Sequence, residues 1–146
     1  MKHAYFRFEF VTPEGAIIES DKTWRVQINA YDGLLAVERG HMPLVVPITP
    51  GILKVNTEDE EIIRFASHGY AMIEPEEVVV LASASEWPDE IDVERARHSL
   101  ERGQRHYQEA QLSHNAASLS RAEHAIRRAK ARLHIHEVYA KQHHES

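Results

Sequence analysis

The apolar pattern of this chain changes period once, near Asp89, and that change limits what the chain can become. Before it, residues alternate. Phe6, Phe8 and Phe10 fall on one side of an extended backbone with Arg7 and Glu9 on the other, and Trp24, Val26 and Ile28 alternate in the same way with Arg25, Gln27 and Asn29. After it, apolar residues recur three and four apart, the spacing of a helix face. The pattern predicts a mainly β plus α chain in two parts, a strand domain over residues 1–86 followed by a helical hairpin over 87–146.

In the first part, further strands are expected at residues 16–19, 34–37, 52–55, 61–66, 70–74 and 77–82, divided by "TPEG", "YDG", "RGHMP", "TPG" and "EPEE". Short strands with this Gly and Pro punctuation predict a sandwich or flattened barrel. Residues 78–81 are continuously apolar, which predicts a strand buried on both faces.

In the second part, Val93, Ala96, Leu100, Gly103, Tyr107 and Ala110 form one stripe, and Leu119, Ala122, Ile126, Ala129, Leu133 and His136 form another. Joined by "LSHNAAS", they predict an antiparallel pair. Asp89 or Asp92 suits the start of the first helix, and Ser118 or Ser120 the cap of the second. Ala and Gly recur along the seam, so its apolar burial is small, and Gly103 costs about 1 kcal/mol relative to Ala. A charged hairpin so held is expected to be marginal alone, as a conformational switch requires.

Charge and composition exclude several classes. Residues 1–90 hold 7 Lys and Arg against 16 Asp and Glu, and residues 91–146 hold 10 against 7, so the net −6 divides into −9 and +3. Neither part is basic enough for nucleic acid. Eight of the 11 histidines lie in the second part, whose charge rises on mild acidification. Cysteine is absent, which removes disulfides and thiolate metal sites. No run approaches the roughly 18 apolar residues of a membrane span, and "MKHAYFRFEF" lacks signal-peptide order. A soluble cytoplasmic protein is expected.

Five stretches, in order, carry a resemblance: "VTPEG", "GHMPLV" at 40–45, "TPGILKV" at 49–55, "EVVVLASAS", and "IDVERA" opening the helices. Together they resemble the epsilon subunit of bacterial F-type ATP synthases over nearly the whole chain. The resemblance implies a β-sandwich of about ten strands followed by two helices. It also implies a non-catalytic rotor-stalk subunit, held against the gamma subunit and the ring of c subunits at the cytoplasmic face of the membrane. There the hairpin is permissive when folded and blocks ATP hydrolysis when extended towards the alpha and beta subunits. No cofactor is required, and ATP is implied as a regulatory ligand. Against the family's pattern, Ala36 and Arg39 replace a Gly and a Pro, Leu34 stands where an acidic residue near the c-ring is common, and His68 replaces one of a Gly pair. Leu34, His41 and Met42 are the implied subunit contacts.

Ile91, Asp92, Arg95 and Ala96 match the pattern through which some family members bind ATP. By the same resemblance Arg102, Arg128 and Arg132 fall on nucleotide positions and Glu86 on an associated acidic one. Spacing agrees, because Arg95 and Arg102 share a face of the first helix and Arg128 and Arg132 a face of the second. Guanidinium forks suit phosphate oxygens. The alternative is ordinary helix-face pairs such as Glu94 with Arg97 or Glu101 with Arg105. "HIHEVYAKQHHES" offers metal-type ligands but reads as a surface tail, and His41 lacks the partners of a catalytic base. The rival to the stalk reading is a stand-alone adaptor, its sandwich gripping a peptide and its hairpin structural.

Overall fold

The computed structural model describes residues 3–143, and its contacts group into two units that divide between Glu86 and Trp87. In the first unit, strand β1 (Phe6–Thr12) carries out the alternation of its sequence: Phe6, Phe8 and Phe10 are 3%, 0% and 0% exposed. Each buried phenylalanine contributes about 1.5–3 kcal/mol. A second strand, β2 (Gly15–Ala30), joins the two segments expected at 16–19 and 24–29 into one of 16 residues. The others are β3 (Gly33–Val37), β4 (Leu44–Ile48), β5 (Gly51–Thr57), β6 (Glu61–Ala66), β7 (Gly69–Ile73), β8 (Glu77–Ala82) and β9 (Ser85–Glu86).

Length lets β2 serve two neighbourhoods. Its first part pairs antiparallel with β1, and its later part with β3 and β5 and, at Ala30, with β4. The path β1, β8, β7, β4, β2 therefore closes on itself through the β1–β2 ladder, while β5, β6 and β9 extend beyond β2. This flattened, closed sandwich is the predicted class. Val26, Ile28, Leu53, Val55, Val78 and Val80 fill its interior with the phenylalanines.

Two local expectations fail for physical reasons. The β2–β5 register shifts between Thr23 and Arg25, so Thr23 takes an inward place and Trp24, expected in phase with Val26, is only half-buried. The Trp24 ring stacks on His3 instead, 3.8 Å between centroids and 5° between planes. Strand β8 is buried on one face only. Val78 and Val80 point inward, but Leu81 is 39% exposed, because a strand of a two-layer sandwich has one inner face and its outer neighbours on β1 and β7 are residues such as Val11 and Tyr70.

The second unit starts with a 3-10 turn, Pro88–Glu90, where the Glu90 carboxylate accepts from the Trp87 N–H at 3.2 Å. Helix α1 (Val93–Leu112) is capped by Asp92, one of the two residues expected there. Helix α2 (Ala116–His143) is capped by Asn115, not by Ser118 or Ser120: the Asn115 carboxamide oxygen accepts from the Ser118 N–H at 3.0 Å. Between the helices the Asn115 N–H bonds the carbonyl of Ala110 at 3.1 Å and that of His114 bonds Gln111 at 3.4 Å, with His114 at φ 53°. These two bonds are the Schellman closure of a helix C-terminus, with histidine where glycine usually sits.

The seam follows the predicted stripes. Its buried members are the small ones, Ala96, Gly103 and Ala110 on α1 and Ala122 and Ala129 on α2. At the far end of α2, Ile135 is buried where the stripe predicted His136, which is half-buried. There the 3-10 turn packs on α2.

Candidate functional site

The candidate nucleotide residues are assembled from the start of α1. Asp92 has extended backbone, and its carboxylate accepts from the Arg95 N–H at 3.0 Å, which fixes the first turn and sends the Arg95 side chain outward. Ile91 and Ala96 are buried, so both act as packing residues of the helical unit. Their neighbours are thereby set in place.

The register of the hairpin decides where the arginines meet. Nearest to Gly103 across the seam are Ile126 and Ala122. Both helices rise about 1.5 Å per residue, so seven residues back to Ala96 on α1 corresponds to about seven forward on α2, level with residues 129–133. Arg95 and Arg102 each precede a buried seam residue, Ala96 and Gly103, and Arg128 precedes buried Ala129. Positions that precede the seam on each of two antiparallel helices flank the same side of it. Arg95 is thus level with Arg132, and Arg102 lies within a turn of Arg128. Arg95 and Arg102 are exposed, Arg128 and Arg132 half-buried. Arg102 donates to the Ser99 hydroxyl at 3.2 Å.

The register thus sets Arg95, Arg102, Arg128 and Arg132 on one side of the seam, and guanidinium forks are the groups that suit a polyanion. Arg97 lies outside this arrangement and pairs with Glu94 at 2.8 Å, the helix-face pair expected from spacing. Glu86 belongs to the β unit, where it ends β9 opposite Phe65.

Sequence reasoning did not single out the next stretch of this seam. Towards the α1–α2 turn, His106, Glu109, Ser113, Ser118 and Arg121 line a cavity of about 490 Å³ over a floor that includes Ala110, Ala122 and Ala125. The only signal for it was the run of alanines, which leaves room once the helices pair.

The implied subunit contacts sit on separate segments of the β unit. Leu34, on β3, is 67% exposed and Met42, in the β3–β4 connection, is 73% exposed. His41 is half-buried, with Nδ1 2.8 Å from the Met42 carbonyl. That connection is pinned to the β7–β8 turn by Arg39, paired with Glu76 at 3.0 Å, and by the Gly40 N–H on the Pro75 carbonyl at 2.7 Å. Arg39 therefore gives the loop an anchor of its own.

Among the described residues no group of three His, Cys, Asp or Glu side chains has metal-site geometry, and no helix is long and apolar enough to cross a membrane. His144 and Glu145 of the histidine-bearing tail lie outside the described residues.

Residues 5–88 match the family described as ATP synthase, Delta/Epsilon chain, beta-sandwich domain. The ATP synthase epsilon chain of Halalkalibacterium halodurans is 35% identical over 125 residues, which cover 86% of this chain and 92% of that one. Its counterpart from Lactobacillus gasseri is 36% identical over 135 residues, covering 90% and 92%. Among solved structures, a chain in the Euglena gracilis mitochondrial ATP synthase, OSCP/F1/c-ring, superposes with a TM-score of 0.73 at 21% identity, covering 90% of this chain and 81% of that chain. The structural likeness is one of fold.

Proposed function

Because the chain belongs to the family of ATP synthase epsilon chains, non-catalytic stalk subunits, we propose that it joins the gamma subunit to the c-ring of a rotary ATP synthase and regulates that enzyme through its hairpin. The β unit is the attachment domain, with Leu34, His41 and Met42 facing subunits of the complex. The helical unit is the regulatory domain: folded on itself it permits ATP hydrolysis, and extended towards the alpha and beta subunits it blocks it. Through the complex the chain sits at the cytoplasmic face of the membrane without crossing it.

The observation that carries this reading is the reach of the relatedness. The family model stops at residue 88, but identity of 35–36% runs over 125–135 residues and so continues into the hairpin. ATP enters as the ligand of Arg95, Arg102, Arg128 and Arg132. A nucleotide held only by the folded hairpin stabilises that state by RT ln(1 + [L]/Kd), so inhibition falls as ATP rises.

The test is hydrolysis by a complex of alpha, beta and gamma subunits with and without the full chain. Binding with inhibition at low ATP, relieved at high ATP, is the expected result. A chain that binds gamma and leaves hydrolysis unchanged at every ATP concentration contradicts the regulatory part, and a chain that does not bind gamma contradicts the whole.

A further inference from the structure

The hairpin carries one contact whose sign is opposite to what helix propensity dictates. A Cβ built on Gly103 falls 2.9 Å from Ile126 Cγ1, with the Ile126 backbone nitrogen at 3.5 Å and the Ala122 carbonyl oxygen at 3.7 Å. Contacts under 3 Å force movement, and the first carbon beyond Cβ of a branched side chain, packed at a helix seam, has little freedom to give. Gly103 is thus a notch that Ile126 fills. The other buried seam residues of α1, Ala96 and Ala110, are seven residues to either side and both carry the methyl that this notch lacks. Sliding the helices by one such repeat would press Ile126 against a Cβ. The notch sets both the closeness of the pair and its register.

We infer that Gly103 and Ile126 form the clasp that biases the hairpin towards its closed state. In the closed hairpin glycine is the residue that admits Ile126. In an α1 that has parted from α2, the same glycine is a liability, because it is the poorest helix former after proline. That propensity cost is present in a helical α1 with or without α2, so it favours neither arrangement, and the fitted contact with Ile126 is the term that weights the two-state equilibrium towards closure. The residue that looks like a defect in the helix is the one that keeps the helices together. The role of the clasp in regulation rests on the reading proposed above, and the contact itself does not.

The experiment is amide hydrogen exchange on the full chain, comparing wild type, Gly103→Ala, Ile126→Ala and the double variant, with amides of the β unit as an internal control. Gly103→Ala is expected to speed exchange in both helices by about tenfold, as overpacking a tight contact does, and to leave β-unit amides unchanged. On the Ile126→Ala background the same substitution is expected to slow exchange, since only the propensity term is left. If Gly103→Ala slows exchange in the wild-type background, or if its effect has the same sign in both backgrounds, the clasp is overturned. Hydrolysis by the complex carrying Gly103→Ala separates the two readings. Faster exchange with stronger inhibition supports both, and faster exchange with unchanged inhibition upholds the clasp and overturns the regulatory role of closure.

Discussion

Ser85 holds the buried guanidinium of Arg64. Its hydroxyl accepts from Arg64 Nε at 2.8 Å and donates to the Phe65 carbonyl at 2.7 Å, and Arg64 is only 8% exposed. Short β9 is tied to β6 by this side chain as well as by its ladder. Hydrogen bonds to charged groups contribute about 1.5–3 kcal/mol. Ser85→Ala is expected to destabilise the chain by that amount in urea unfolding, and Ser85→Thr, which keeps the hydroxyl, by less.

Gly69 is required by a backbone and not by a turn. A Cβ there would fall on the carbonyl oxygen of Leu81, where β7 and β8 cross closely. A main chain in a paired ladder cannot retreat as a side-chain tip can. Gly69→Ala is therefore expected to cost more than about 4 kcal/mol, the range kept for forced rearrangement, and to be read as loss of the soluble folded chain.

At the α1–α2 turn, His114 holds φ 53°, a conformation that a side chain disfavours and glycine does not. His114→Gly is expected to raise the stability of the helical unit by about 0.5–1 kcal/mol, and a β-branched residue there to lower it. Thermal melting followed at helix wavelengths measures both.

Lys22 pairs with Glu58 at 3.2 Å, and that hydrogen bond and charge raise its pKa above the ordinary 10.5. A group with a raised folded pKa contributes stability below its unfolded value and loses it as pH rises through the folded one. The stability difference between wild type and Glu58→Gln should thus be constant at neutral pH and shrink above pH 10.5, and salt should reduce it throughout. A difference that grows with alkalinity would contradict this pairing.

Much of the fold was legible in the sequence because most strands and both helices keep one period from end to end. What escaped it depended on partners. Strand β4 escaped because Pro43 and Pro47 break its pattern, yet Pro47 needs no N–H of its own to pair: its carbonyl accepts from the Tyr31 N–H at 3.1 Å. Trp24 was misplaced because a bulge is set by the opposing strand. Spacing identified the shared faces of Arg95 with Arg102 and of Arg128 with Arg132, but not that both border one side of the seam, which required the register at Gly103. For the same reason Gly103 reads as a weakness in one helix and a fitted notch in two.

The most direct test of a nucleotide-gated hairpin is calorimetric titration of ATP into the full chain, with Arg95→Ala and Arg128→Ala alongside. Saturable binding in the wild type, lost in both variants while their folding is unchanged, is the predicted result, since each helix then contributes a guanidinium to the same phosphates. No heat of binding up to millimolar ATP in the folded wild-type chain would contradict it and leave the arginines to contacts with other subunits.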